Sequence, residues 1–184
     1  MNFTYPIQNK KKIKELMEVY PLESKNRLLL EFGLRTGLRI SDILNFKVED
    51  VHKKESVWVQ EKKTKKKKMI SLHPKLRQSI RLYVKTEKLK PDDYVFYSAK
   101  NPTQPIRRMQ AHRIISHAGD MIGIVPLSAH SLRKTFGYWS YKQGVDISLL
   151  QTIFQHSSQA VTLRYIGITQ ENINRVYETV DMGF

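Results

Sequence analysis

Apolar residues recur at every third or fourth position along several stretches of the chain, and this spacing places them on one face of an α-helix. The sequence therefore predicts helices over Asn9–Tyr20, Glu23–Arg35, Ile40–Phe46, Pro74–Glu87 and Arg107–Ile122. Two more apolar sets, at 132–139 and 147–154, predict a further helix pair after a break at residues 123–126. The chain is therefore mainly helical.

Between residues 47 and 72 the pattern changes to alternation, which is typical of strands with one buried face. The alternating positions predict a three-stranded antiparallel meander with turns at 53–56 and 64–68, and they are Val48, Val51, Val57, Val59, Ile70 and Leu72. A short strand is predicted at 94–96, followed by a proline-bearing loop at 101–105. The fold class that results is α+β, mainly α-helical with a small three-stranded antiparallel sheet.

Composition narrows the class of protein. The 184 residues suffice for one domain with a substantial core, and they contain no cysteine, so disulfides and thiolate metal sites are excluded. No apolar run reaches the length of a membrane span, and the N-terminus lacks the apolar core of a signal peptide. We therefore expect a cytoplasmic protein of a bacterium or phage.

The net charge points to a polyanionic partner. The chain carries 32 Lys and Arg against 17 Asp and Glu, a formal charge of +15 with neutral histidine. Basic side chains placed on phosphates release condensed counterions, so nucleic acid is the natural partner, although charge alone also fits a merely soluble basic protein. An anionic membrane is a weaker alternative because no basic amphipathic helix with a broad apolar face stands out.

Four short segments carry residues suited to phosphodiester chemistry. They read Thr36-Gly37-Leu38-Arg39-Ile40-Ser41-Asp42, Ser128-Ala129-His130-Ser131-Leu132-Arg133-Lys134, Phe154-Gln155-His156 and Arg164-Tyr165. Guanidinium forks neutralise phosphate oxygens, imidazoles move protons, and a phenol is a nucleophile. Each residue alone also has a structural explanation, such as an ion pair between Arg39 and Asp42 or a helix cap at His130.

Taken together, these segments resemble the catalytic domain of the tyrosine recombinases, the phage integrase family. The matching positions follow the family's order, and they are Arg39, Lys63, His130, Arg133, His156 and Tyr165. The resemblance extends from about Lys11 to about Val180 and implies the tyrosine recombinase catalytic-domain fold. Two positions depart from the family's usual wording, since Gln155 stands where glycine is usual and Lys134 follows Arg133 where histidine is common.

The resemblance implies site-specific recombination or integration, in which DNA strands are cleaved and rejoined through a 3′-phosphotyrosyl intermediate. Tyr165 would be the nucleophile, Arg39 and Arg133 would clamp the phosphate, and His156 would donate to the same oxygens. His130 would deprotonate or orient the phenol, and Asp42 would orient a cation of the pocket. No metal or energy cofactor is required, because the bond energy stays in the covalent intermediate.

Lys63 would protonate the leaving 5′-oxygen, and its assignment is open because Lys62 and Lys65 are nearly equivalent in register. Double-stranded DNA is the implied partner, and the residues expected to contact it are Lys62, Lys65, Lys66, Arg107, Arg108, Arg113 and Lys134. A zinc site built from the histidines is a weak alternative, since no H-E-x-x-H pattern is present; its ligands would be His112, His117, His130 and His156.

The domain prediction is a single catalytic unit over 1–184 with a core at about 11–168. Thr169 would cap a last helix, and 169–184 would form a helix and tail that can be exchanged between protomers. We expect a homo-oligomer, a tetramer, on DNA and allow for a monomer in solution. The family's N-terminal core-binding domain is expected to be absent, which fits either a fragment or a minimal recombinase.

Two other functions remain open from the sequence. A type IB topoisomerase uses similar tyrosine chemistry without joining two sites, and a DNA-binding regulator with this fold would not cleave at all. The short length and the wording around His130 favour the recombinase over the topoisomerase. The complete set of six argues against the regulator. If Tyr165 is not the nucleophile, Tyr177 is the first alternative.

Overall fold

The structure is a computed structural model that describes residues 4–60, 67–168, 178–181 and 183. Its helices are α1 (Lys10–Glu18), α2 (Lys25–Thr36), α3 (Ile40–Ile43), α4 (Val48–Val51), α5 (Pro74–Thr86), α6 (Arg108–Met121), α7 (Ala129–Lys142), α8 (Ile147–Phe154) and α9 (Gln159–Tyr165). Its strands are β1 (Ser56–Gln60), β2 (Lys67–Ser71), β3 (Tyr97–Ser98) and β4 (Asn101–Pro105). No helix within these described ranges is long and apolar enough to cross a membrane.

The predicted helices are present, and their ends lie within a few residues of the predicted ones. Polar residues that precede several of these helices act as N-caps and fix where the helix begins. The Ser24 hydroxyl accepts the amide of Arg27 at 3.2 Å at the start of α2, and Asp146 accepts the amide of Ser148 at 2.7 Å at the start of α8. Such caps satisfy backbone donors that the first turn leaves open. Helix α9 was not predicted. The last predicted helix begins at Thr169, and residues 169–177 lie outside the described part of the chain.

The predicted three-stranded meander is wrong. The structure has two separate two-stranded antiparallel sheets, β1 with β2 and β3 with β4. Val48 and Val51 lie on α4 instead of on a strand, because they are three apart and both face the core. The Asp50 carboxylate also accepts the amide of Lys47 at 2.8 Å, which stabilises a helix start. The segment 94–96 makes only an isolated bridge with Lys47, and 101–105 is a strand.

Two apolar clusters divide the interior. The main cluster is built around α2, whose Leu28, Leu29 and Phe32 are at most 1% exposed, and it takes in side chains from α1 through α6 and the start of α7. A smaller cluster joins the rest of α7 to α8 and α9, and its buried members among the described residues are Tyr138, Leu150, Phe154 and Ile166. Helix α7 therefore belongs to both clusters.

Gly137 lets α8 and α9 approach α7 closely. A Cβ atom at this position would lie 2.6 Å from both the Phe154 ring and the Ile166 side chain, a distance that real Cβ atoms do not reach. The absence of a side chain at this one position sets how close the smaller cluster comes to α7.

The N-terminal segment lies against the outer side of α7. The amide of Ile7 donates to the Thr135 hydroxyl at 2.8 Å, and the indole N–H of Trp139 donates to the Ile7 carbonyl at 2.9 Å. Ile7 is 4% exposed and belongs to the main cluster, so the packed core begins before residue 11. Pro6 also lies next to Gly167, two residues after Tyr165.

Candidate active site

Arg39 is placed by a sharp change of direction between two helices. Gly37 ends α2 with φ +59°, in the left-handed region that favours glycine, and its carbonyl is thereby turned towards α7. Arg39 then has extended backbone angles and begins α3. The Thr36 hydroxyl donates to the Phe32 carbonyl at 2.7 Å and accepts the amide of Leu38 at 3.3 Å, which fixes the turn. The Thr-Gly-Leu-Arg wording thus encodes a helix stop followed by a helix start.

Arg133 is a buried cation, 5% exposed, held by backbone carbonyls from both clusters. Its Nη1 donates to the carbonyl of Gly37, and its Nη2 donates to the carbonyl of Phe154 at 3.4 Å. Its guanidinium carbon also lies 4.6 Å from the centroid of the Phe154 ring. A buried charge is tolerated only when it is hydrogen-bonded, so these contacts fix the guanidinium in place.

Arg39 and Arg133 line a small open cavity of about 160 Å³. Arg108 also lines this cavity, which was not predicted from the sequence. The lining residues are Leu38, Arg39, Ile40, Ser41, Arg108, Ala129, His130 and Arg133. His130 lies at the exposed mouth of the cavity, in the first turn of α7. Burial lowers the pKa of its imidazole, and the charges of Arg133, Lys134 and Arg39 lower that pKa further. This imidazole is therefore neutral at pH 7 and able to accept a proton.

His156 lies on the short connection between α8 and α9 and is held at three points. Its amide donates to the Gln151 carbonyl at 3.1 Å, the Gln151 amide nitrogen donates to its carbonyl at 3.2 Å, and its Nδ1 lies 3.1 Å from the Thr162 hydroxyl. Burial lowers the pKa of His156, and the charges of Arg133 and Arg39 lower it further. Nδ1 is occupied by Thr162, which makes Nε2 the nitrogen available for a ligand.

Tyr165 ends α9 and packs on His156, with ring centroids 4.8 Å apart, and on Phe154 at 5.4 Å. Arg133 donates a hydrogen bond to its phenol oxygen. Burial raises the pKa of Tyr165, and the charges of Arg133 and Arg39 counteract only part of that rise. The phenol therefore stays protonated at neutral pH, in contact with a cation that would stabilise its anion.

Lys134 also lies close to the Tyr165 ring. Its ammonium is 5.2 Å from the ring centroid and donates to the carbonyl of Thr4 at 2.6 Å. Burial lowers the pKa of this lysine. Lys134 therefore links the N-terminal segment to the helix that carries the tyrosine.

The lysine-rich turn, with Lys62, Lys63, Lys65 and Lys66, lies outside the described residues. The residues on either side of this segment, Gln60 and Lys67, are described. Gln60 and Lys67 line a cavity of about 570 Å³ together with the buried Asp42, three residues after Arg39. Lys68 donates to the Ile153 carbonyl at 3.4 Å, so β2 also touches the end of α8. The described residues on either side of 61–66 therefore share a cavity with Asp42.

The remaining basic residues predicted to bind DNA lie on or beside α6. Arg107, Arg108 and Arg113 are exposed. Arg107 and Arg113 line an open cavity of about 380 Å³ that also contains Lys100, whereas Arg108 faces the cavity of Arg39. Within the described ranges, no three His, Asp or Glu side chains gather as a group that could hold a metal ion.

Sequence reasoning missed three features of this region. Arg108 was assigned only to DNA binding, Lys68 only to the predicted turn at 64–68, and Thr162 was not singled out. A signal existed for Thr162, because it lies three residues before Tyr165 and therefore shares its helix face. No sequence signal indicated the contact between Lys68 and Ile153, since it joins residues 85 apart in the chain.

Comparison with known proteins identifies the family. The model of the phage integrase family matches residues 7–172. The chain is 41% identical over 180 residues to the probable integrase/recombinase YoeC of Bacillus subtilis (strain 168), covering 97% of each protein. It is 27% identical over 175 residues to the tyrosine recombinase XerA of Pyrococcus furiosus, covering 92% of this chain and 60% of XerA.

Solved structures share the fold. The crystal structure of XerA recombinase superposes with a TM-score of 0.78 at 22% identity, over 96% of this chain and 65% of that chain. XerH recombinase bound to palindromic difH substrate, in a post-cleavage complex, gives a TM-score of 0.74 at 18% identity, over 97% of this chain and 54% of that chain. The chain therefore belongs to the phage integrase family, and its catalytic-domain fold is that of the tyrosine recombinases.

Proposed function

We propose that this chain cleaves and rejoins DNA strands at specific sites, with Tyr165 as the nucleophile. The enzyme class, a tyrosine-type DNA recombinase, follows from family membership. The observation that carries the proposal is the position of Arg133, which contacts the Tyr165 phenol and lines the cavity of Arg39 and His130. A phosphate in that cavity would lie between a guanidinium clamp and a nucleophile.

In the proposed reaction, the Tyr165 oxygen bonds to phosphorus while the bond to the 5′-oxygen breaks. Negative charge collects on the equatorial oxygens, where Arg39 and Arg133 act as the clamp because a guanidinium can donate two parallel hydrogen bonds. Nε2 of His156 donates to the same oxygens. Rejoining reverses these bonds with the 5′-hydroxyl of another strand, so neither an energy source nor a metal is consumed.

Two protons move during cleavage. His130 accepts the phenol proton, a role that its neutral form at pH 7 and its place at the cavity mouth support. Lys63 gives a proton to the leaving 5′-oxygen, and the positions of Gln60 and Lys67 beside Asp42 support bringing the lysine turn to the cavity. Asp42, three residues from Arg39 and buried, orients a cation of this region.

We further propose that double-stranded DNA crosses the basic surface formed by α6 and the lysine turn. The supporting observations are the charge of +15 and the DNA complexes among the structural relatives. The proposed contacts are Lys62, Lys65, Lys66, Arg107, Arg108 and Arg113, with Lys134 acting close to Tyr165. The protein would act in the cytoplasm, where its DNA lies.

Assembly on DNA is proposed to use the segment after the catalytic core. Residues 173, 176, 177 and 180 are apolar and spaced as one stripe of a helix, which must be buried somewhere. Docking of this stripe on a neighbouring protomer would build the oligomer on DNA. A chain ending at Ile168 should still bind single sites but should fail to form multimers on a native gel. An unfolded shortened chain, judged by circular dichroism, would instead show that the segment packs on its own domain.

The decisive experiment is adduct formation on nicked suicide DNA that carries candidate sites. Wild-type protein should give a covalent protein–DNA band on a denaturing gel, and Tyr165→Phe should give none while binding DNA about equally, because no positive charge is lost. Tyr141→Phe, a tyrosine packed against the same smaller cluster, is the matched control and should keep the band. An adduct with Tyr165→Phe would contradict the assignment and direct attention to Tyr177.

A further inference from the structure

Thr162 is a buried hydroxyl that the proposed reaction does not use. It is 0% exposed and lies on α9, three residues before Tyr165. Its Oγ1 lies 3.1 Å from Nδ1 of His156 and also 3.1 Å from the carbonyl of Ser158. A threonine hydroxyl has one proton, so it can donate to only one of these two acceptors at a time.

The choice of acceptor decides which nitrogen of His156 carries its proton. If the hydroxyl donates to the Ser158 carbonyl, Nδ1 must be the N–H and Nε2 is a bare acceptor. If the hydroxyl donates to Nδ1, the neutral ring carries its proton on Nε2, which can then donate to a phosphate oxygen. The Ser158 carbonyl does not depend on the hydroxyl, because it already accepts the amide of Thr162 at 3.2 Å.

The surroundings of His156 make this choice matter at neutral pH. The charged groups that face the ring are Arg133 of α7 and Arg39 at the start of α3, and Tyr165 of α9 stacks on its edge. Lys68 of β2 reaches the neighbouring carbonyl of Ile153. The two guanidiniums and burial both oppose a second proton on the ring, so the ring has a single N–H to direct.

We propose that Thr162 is a positioning residue that donates to Nδ1 of His156 and thereby directs the Nε2–H towards the scissile phosphate. When the hydroxyl turns from Ser158 to His156, Nδ1 gives its proton to water and Nε2 takes one from water, so the charge of the ring does not change. Because Thr162 and Tyr165 lie on one face of α9, the same contact fixes the imidazole relative to the nucleophile. This inference rests on the proposed function for its consequence in cleavage, but not for the tautomer itself.

The tautomer can be measured without DNA, by the ¹⁵N chemical shifts of the imidazole nitrogens in histidine-labelled protein. Wild type and Thr162→Ser should hold His156 as the Nε2–H form at about pH 8, and Thr162→Val should lose this preference. Thr152→Val is the matched control, because the Thr152 hydroxyl makes the same bond to a carbonyl four residues earlier but has no hydrogen bond to a histidine within the described residues. An Nδ1–H form in wild type, or identical spectra in Thr162→Val, would overturn the proposal.

Cleavage supplies a second readout that a merely structural role would not move. At about pH 8, Thr162→Val should cleave about 3- to 10-fold more slowly than Thr162→Ser, the effect of one hydrogen bond. The ratio should shrink towards about 2 once the pH falls below the pKa of His156, which burial and the two guanidiniums hold below its usual range, because a doubly protonated ring carries N–H groups on both nitrogens. A ratio that does not change with pH would contradict the proposal. If wild type forms no adduct at all, the proposed function fails, but the ¹⁵N measurement still decides the role of Thr162.

Discussion

The two halves of the site rest on clusters of different size. Arg39 begins α3 next to Gly37, and this turn is anchored in the main cluster, which draws on seven helices and the β1–β2 hairpin. His156 and Tyr165 lie on α8 and α9, whose cluster has four buried apolar side chains in the described part of the chain. A smaller cluster opens at lower free energy than the whole domain does. The proposed clamp at Arg39 should therefore be as stable as the fold, whereas Tyr165, the proposed nucleophile, should be able to move.

Arg133 connects the two halves. One of its nitrogens donates to Gly37 of the main cluster and another donates to Phe154 of the smaller cluster. The same guanidinium that would bind the phosphate thus also holds the nucleophile's helix pair against the clamp. A bound phosphate, by competing for this guanidinium, would change how firmly α8 and α9 are held.

Of the changes that compare the two halves, breaking this connection should have the largest effect. Arg133→Lys removes the planar fork, and an ammonium on a shorter reach cannot satisfy both carbonyls and a phosphate. We expect adduct formation to slow by roughly 100- to 1,000-fold, the usual cost of removing one donor to a developing oxyanion. Arg164→Lys is the control, because Arg164 is exposed on α9 and should tolerate the change. Equal rates for both variants would show that Arg133 is structural.

Gly37→Ala tests the turn that places Arg39. The residue has φ +59°, and an added Cβ would overlap the ring of Phe136. The left-handed backbone costs about 1–2 kcal/mol for alanine, and overpacking costs about 1–3 kcal/mol more. The free energy of unfolding, measured in urea, should fall by roughly 2–5 kcal/mol in total. Gly144→Ala has a positive φ without any neighbour within 4 Å, so it isolates the backbone part of this cost.

Elements with a clear local pattern could be predicted from the sequence, whereas positions that depend on packing could not. Helices with clear periodicity and caps were predicted correctly, whereas the roles of the six site positions remain a prediction. The meander was mispredicted because Val48 and Val51 are three apart, and a pair with that spacing does not distinguish a strand from one helical turn. Arg108 was missed as a cavity residue because its position depends on how α6 packs beside α3, which local sequence does not encode.

Leu150→Ala should separate the stability of the smaller cluster from that of the fold. Leu150 is 0% exposed, and Leu76, also 0% exposed in the main cluster, is its matched control. Leu76→Ala should lower the global free energy of unfolding by about 2–5 kcal/mol. Leu150→Ala should lower it by less than about half as much, while hydrogen exchange accelerates in α8 and α9 alone. Acceleration throughout the chain would show that the two clusters unfold as one.

The smallest effect is expected at Gln155, the residue just before His156. It caps α8 with φ +58° and ψ 47°, a left-handed conformation that glycine adopts without strain, and its side chain is exposed. Relief of about 1–2 kcal/mol of backbone cost is partly offset by the extra flexibility of glycine in the unfolded chain, about 0.5–1 kcal/mol. Gln155→Gly should therefore raise the free energy of unfolding of α8 and α9 by roughly 0.5–1 kcal/mol, measured by hydrogen exchange.

The matched control for this change is Gln143→Gly at the end of α7. Gln143 also caps a helix and is also exposed, but its φ is −95°, so glycine relieves no strain there and should cost about 0.5–1 kcal/mol. Opposite signs for the two variants would show that the chain holds strained backbone next to His156, in the half of the site that carries the nucleophile. The same sign at both positions would show that Gln155 adopts its conformation without strain, and the smaller cluster would then owe its lower stability to its size alone.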